Sequence, residues 1–221
     1  MQQRIWFLCI LLVGISFSCV THPVIETPEN PGSKSFVSES TPGNVPERPL
    51  IPPVPEYIMG TGRMVSETLV SFLLASNPEL EESFVKVLAT IYVEEADIEG
   101  VNHDVAFAQM CLETGFLRYG NLVTPDMNNF CGLGSIGQGQ PGERFPDPRT
   151  GVRAQIQHLK GYATEAPLKR ELVDPRYRFV RYGSAPKITG LAGTWSVDTS
   201  YGDKIKNILE RLYKFSFGEE A

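Results

Sequence analysis

The chain has 221 residues, 42% of them apolar, and a formal net charge of −6 from 26 acidic and 20 basic side chains. That length suits one domain with a real core, and the acidic balance without a basic stripe argues against a nucleic-acid partner. Three histidines, one of them in a proline-rich stretch, are a poor basis for a histidine-rich metal site, so no metal or other cofactor is expected.

At the N-terminus Arg4 precedes an apolar run over residues 5–17. The run is long enough for a signal-peptide core and too short to span a bilayer. The small residues of Ser16-Phe17-Ser18 lead into Cys19, which reads as a relaxed lipobox in which residues 1–18 are removed and Cys19 carries the lipid. Ordinary secretion is the alternative, because Ser16 stands where lipoboxes carry leucine. Nine of the 17 prolines then fall between residues 20 and 57, among Ser, Thr, Glu, Gly and Asn. Residues 19–57 therefore read as a disordered tether, able to reach on the order of 100 Å when extended.

Residues 58–217 form the folded part. Helices are expected over residues 64–75, and over 79–94 following Asn77-Pro78. A third helix is expected over 103–116, where Val105, Ala108, Leu112 and Phe116 make an apolar stripe, Asn102 is the N-cap and Gly115 the stop. Thr150 opens a fourth helix running to about residue 164, and Asp198 or Thr199 caps the last, with Ile205, Ile208, Leu209 and Leu212 on its apolar face. The space between Asn129 and Phe145 holds only a short hairpin. No internal repeat, second domain or oligomerisation signal is present, so a monomer is expected.

Glu113 sits in the last turn of the third helix. There the helix dipole disfavours negative charge and apolar neighbours raise the cost of ionisation, so its pKa is expected to rise. A carboxylic acid that stays protonated near neutral pH can protonate the leaving oxygen of a glycosidic bond.

The words Glu113-Thr114-Gly115-Phe116 and Asn128-Asn129-Phe130-Cys131-Gly132-Leu133-Gly134 resemble those of the glucosaminidase family, the peptidoglycan hydrolases of glycoside hydrolase family 73 related to the flagellar muramidase domain and to autolysins. The resemblance continues through residues 145–162, through Asp174-Pro175-Arg176-Tyr177, and through Trp195-Ser196-Val197-Asp198 with Tyr201. It covers roughly residues 65–215. It implies a mostly α, lysozyme-like α+β domain whose β lobe is reduced to a hairpin beside the groove, leaving the site more open. It also implies an enzyme of the cell envelope, anchored through Cys19 and facing periplasm or exterior, that cleaves β-1,4 links in peptidoglycan glycan strands with Glu113 as general acid. Asn129, Phe130, Tyr177, Trp195 and Tyr201 match family positions suited to substrate contact, although Phe130 also suits a core anchor for its loop.

Glu143 lies where the family's hairpin carries its second acid, and Asp147 and Asp126 are further candidates. The substrate's own 2-acetamido group, acting as nucleophile, would need no second acid. Cys111 and Cys131 stand open between a disulfide and two buried thiols. Two other functions also stay open: a lytic transglycosylase, and a catalytically silent wall-binding anchor.

Overall fold

The computed structural model describes residues 50–120, 122–135, 137 and 139–218. The expected signal sequence, Cys19 and the tether up to residue 49 lie outside the described residues. The last tether residues belong to the folded body: Val54 packs against the core, Ile188 N donates to Glu56 O at 2.9 Å and Ile58 N to Pro186 O at 3.0 Å. The boundary expected at residue 58 therefore moves a few residues toward the N-terminus.

Five helices carry the fold: α1 (Ser66–Ser76), α2 (Glu82–Glu99), α3 (His103–Thr114), α4 (Pro148–Ala163) and α5 (Tyr201–Phe217), with 3-10 turns at Pro125–Met127, Tyr177–Phe179 and Ile188–Leu191. α2 runs five residues beyond the expected end. The acid-rich stretch from Glu94 to Glu99 looks like a solvated helix end in sequence. Instead Glu95 and Glu99 are buried and paired, and Gly100, in the left-handed region at φ 76°, closes the helix on the carbonyls of Ala96 and Asp97. α4 starts at Pro148 rather than Thr150. Asp147 is its cap, accepting from Thr150 N at 2.9 Å, and proline suits the first helical position because its missing N–H has no partner there.

α2 packs against α1 and α4, and α3 lies against α5, α2 and α4. α3 is consequently not striped, as the apolar spacing led us to expect. Every residue from His103 to Cys111 is buried, while Leu112 and Phe116 are only half-buried at its exit. Asn102 caps it as expected, accepting from Asp104 N and Val105 N. Among the described residues β structure consists of isolated bridges, and the expected hairpin is a single Gly137–Gln140 bridge. The domain is mostly helical with a minimal β wall.

Burying Glu99 demands a partner, because an unpaired charge in the interior is costly. Lys160 Nζ, on α4, supplies it at 2.7 Å, and the backbone N–H groups of Lys169 and Arg170 donate to the same carboxylate. This ties the loop after α4 to α2. Burial opposes ionisation of Glu99, but the contacts to Lys160, Lys169 and Arg170 outweigh it and hold the carboxyl below its ordinary range. Lys160→Met should destabilise the fold by about 3–5 kcal/mol near neutral pH in chemical denaturation. Since a depressed carboxyl loses its stabilising effect as pH falls through its folded pKa, the gap between wild type and variant should narrow on acidification.

Candidate active site

The end of α3 fixes the position of Glu113. Gly115 takes the left-handed conformation expected of a helix stop, but Phe116, Leu117 and Tyr119 also have positive φ, at 58°, 59° and 58°. Such a run is costly for residues with a Cβ and persists only when its surroundings enforce it. Thr114 enforces much of it: its Oγ1 accepts from Leu117 N at 2.9 Å and its carbonyl from Tyr119 N at 2.7 Å. Asn77 Nδ2 holds the Phe116 carbonyl at 2.8 Å. The tight turn brings Tyr119 back beside Glu113, where both line a cavity of about 160 Å³ together with Val123, Gly132 and Ser135.

One oxygen of Glu113 is used up by the protein. Oε1 accepts from Trp195 Nε1 at 3.1 Å and from the Tyr201 hydroxyl in a short contact. Oε2 has no donor among the described residues and faces Gly132, where a Cβ would sit 3.6 Å from it. If Glu113 carries a proton, Oε2 holds it, because Oε1 is already committed as an acceptor. Burial pushes the Glu113 carboxyl above its ordinary range, while the hydrogen bonds from Tyr201 and Trp195 hold it down in part. The expected direction is observed, and its principal cause is burial.

Tyr201 is oriented in turn by a buried chain of amides that the sequence does not announce. Gln109 Nε2 donates to the Tyr201 hydroxyl oxygen at 3.0 Å, Gln155 Nε2 donates to Gln109 Oε1 at 2.8 Å, and Tyr92 donates to Gln155 Oε1 at 2.6 Å. All four bonds run in one direction, and the Tyr201 proton is left only Glu113 as its target. Gln109 lies one turn before Glu113 on the same buried helix face, a spacing that would have revealed it, whereas Gln155 and Tyr92 come from other elements.

The loop facing Glu113 is held from within. Asn129 is fully enclosed, its Nδ2 donating to the carbonyls of Leu133 and Glu143, both at 2.9 Å, and its Oδ1 accepting from Leu133 N at 2.9 Å. Phe130 is 1% exposed in the main core. Substrate contact and support of the loop both suited these positions in sequence; in the structure both residues hold the loop, since neither has a surface to offer a sugar. Gly132, at φ 67°, lets the chain pass beneath Glu113. Tyr177 lies off the cavity walls, half-buried against Gly161 of α4 and the ring of Tyr182. Trp195 and Tyr201 are brought onto Glu113 as described.

The candidates for a second acid separate clearly. Asp147 has both oxygens on Thr150, which lower its pKa, and serves as a helix cap. Asp126 is taken by Thr124 and Arg144. Glu143 accepts no side-chain or backbone hydrogen bond through its carboxylate among the described residues, and it lies against Gly134, two residues along the loop from the Gly132 contact with Glu113. Cys111 and Cys131 are buried free thiols, each raised by burial, so the disulfide alternative is not realised.

A family profile described as mannosyl-glycoprotein endo-beta-N-acetylglucosaminidase matches residues 89–214, more than half of the chain. The chain belongs to the glucosaminidase family. It is therefore a glycoside hydrolase. It is 40% identical over 160 residues to an uncharacterized protein of Borreliella burgdorferi, spanning 72% of this chain and 78% of that one. It is also similar to autolysin E of S. aureus, solved in complex with a muropeptide, at 15% identity, with a TM-score of 0.47 and coverage of 72% of this chain and 71% of that one.

The matched segment of this glucosaminidase contains α3, α4, the intervening loop and most of α5, hence both donors to Glu113 and the amide chain behind Tyr201. Tyr201→Phe should raise the Glu113 pKa above its wild-type value, because the hydrogen bond removed is the stronger of the two that favour the charged form. Carboxyl carbon NMR titration would check the direction. Gln155→Leu should cost about 1–3 kcal/mol of stability in denaturant melts, since Tyr92 and Gln109 are then buried without their partner.

Proposed function

We propose that this glucosaminidase hydrolyses the β-1,4 glycosidic bonds of peptidoglycan glycan strands after N-acetylglucosamine, with Glu113 as general acid. The observation that carries the reading is the asymmetry of the Glu113 carboxyl: Oε1 is bound by Tyr201 and Trp195, and Oε2 is left at the cavity. A half-buried acid with a raised pKa and a single free oxygen can deliver one proton from one place. When that proton leaves, Tyr201 and Trp195 remain as donors to the carboxylate, so the charge formed in the transition state is stabilised by groups already in position.

Glu143 is the group we assign to activation of water, as the carboxylate of the loop facing Glu113 that accepts no hydrogen bond among the described residues. It would deprotonate a water that attacks the anomeric carbon from the face opposite Glu113, inverting the anomeric configuration. A β wall reduced to the Gly137–Gln140 bridge among the described residues supports an open approach for water and substrate on this side. The N-terminal sequence supports a lipid anchor at Cys19 and a tether that lets the domain work at a distance from its membrane in the cell envelope.

Full-length protein in detergent, incubated with purified peptidoglycan, should release fragments ending in reducible N-acetylglucosamine. Glu113→Gln should slow release by about 10²–10⁴-fold, the usual contribution of a general acid, while the melting transition stays cooperative. Products of inverted anomeric configuration, read by NMR early in the reaction, would support Glu143. Retained configuration would assign the nucleophile to the substrate acetamido group, 1,6-anhydro ends would make the enzyme a lytic transglycosylase, and binding without products would leave a silent anchor. Activity should fall as pH rises through the Glu113 pKa, and that limb should move upward in Tyr201→Phe.

A further inference from the structure

The cavity at Glu113 does not end at the reacting bond. Gly132 and Ser135 are shared between it and a second cavity of about 200 Å³, whose far wall is made by His158, Tyr162, Arg176, Phe179 and Trp195. Trp195 links the two, since its indole N–H reaches Glu113 while its ring meets His158 edge to face at 5.0 Å.

The segment that brings Arg176 and Phe179 to that wall is basic in an acidic protein, with Arg176 as its cation on the cavity itself. Residues 169–181 contain Lys169, Arg170, Arg176, Arg178 and Arg181 against only Glu171 and Asp174. Asp174 is buried and turned inward, its Oδ2 2.6 Å from His158 Nδ1 and its Oδ1 accepting from Arg176 N at 2.8 Å. It fixes the imidazole ring and the start of the arginine turn. His158 Nε2 has no partner among the described residues.

Arg176 and Arg178 show the same unused capacity. Each guanidinium lies 4.7 Å from the centre of the Phe179 ring, and neither pairs with a carboxylate among the described residues. Phe179 is 60% exposed, so core packing does not account for it. As a spine for two stacked guanidinium planes it is accounted for: stacking holds arginine in place while leaving its donor fork open to an incoming anion.

We propose that this second cavity reads the free carboxylates of the peptide stems carried by muramyl residues, with Arg176 as the principal contact and Arg178 and His158 supporting it. The inference rests on the peptidoglycan reading of the Glu113 site. In a strand of alternating N-acetylglucosaminyl and muramyl units, cleavage after N-acetylglucosamine places a muramyl unit on each side of the sugar that is cut. A stem is therefore always next to the reacting bond, and its carboxylates suit bidentate pairing with arginine. The subsite makes the enzyme selective for stem-bearing strands over bare glycan.

The test compares kcat/KM of the full-length protein on glycan strands with intact stems and on the same strands stripped of stems by an amidase, the lactyl carboxylates so exposed being converted to neutral amides. Wild type should prefer the intact strands, with the preference weakening as salt screens the arginines. Arg176→Ala should lower the ratio of the two kcat/KM values about tenfold through KM, the size of one charge-assisted hydrogen bond. Arg176→Lys should restore only part of it, because lysine keeps the charge without the fork. Equal rates of wild type on both strands, or equal losses on both in Arg176→Ala, would overturn the subsite and leave the glycosidase standing. Failure of wild type to cut either strand would overturn both.

Discussion

Enclosure of α3 is the constraint on which the site depends. A helix surrounded by α2, α4 and α5 must find protein partners for each polar group it carries, because no water reaches them. Asp104 is satisfied by the backbone of Arg63 and Met64 and by the Tyr213 hydroxyl, and Gln109 by Gln155 and Tyr201. Glu113 is the first acid on the helix to come close to the surface, and it meets a cavity on one side and Tyr201 and Trp195 on the other. Its chemistry is thus set by its place on a rigid, dry element and by donors on α5 and the segment before it.

α4 serves several of these requirements at once. Gln155 reaches into the amide chain behind Glu113, His158 forms the wall between Trp195 and the basic turn, and Lys160 neutralises Glu99 on α2. The residues lie on successive turns of one buried helix, so support for the acid, the second cavity and the loop beyond α4 share one mechanical base. A shift of α4 would disturb all three together.

The loop between α3 and α4 is built differently. It has almost no ladder hydrogen bonds to lean on, and Asn129 replaces them by binding the carbonyls of Leu133 and Glu143 with a single amide. Gly142 permits this closure, since a Cβ there would lie 2.7 Å from the Leu133 carbonyl oxygen. The same amide thereby sets where the Glu143 backbone sits relative to Gly132 and Glu113. Among the described residues this wall is held by one asparagine amide rather than by a ladder.

The sequence by itself determined the helical class, the cap and stop of α3 and the apolar face of α5, and it singled out Glu113, Trp195 and Tyr201 as candidate site residues, because local periodicity, capping residues and short motifs are written in adjacent positions. It misjudged the end of α2 and the start of α4, and it left Asn129 and Phe130 open between substrate contact and support of the loop, because a residue's burial depends on what lies across from it. Only the tertiary structure decided that Glu95 and Glu99 are interior, that Trp195 and Tyr201 donate to Glu113, and that Gln109, Gln155 and Tyr92 stand behind Tyr201. It also placed Asp174, Arg176 and Phe179 opposite His158. These are contacts between segments separated by 16 to 92 residues, and pairing over such distances leaves no mark in local spacing.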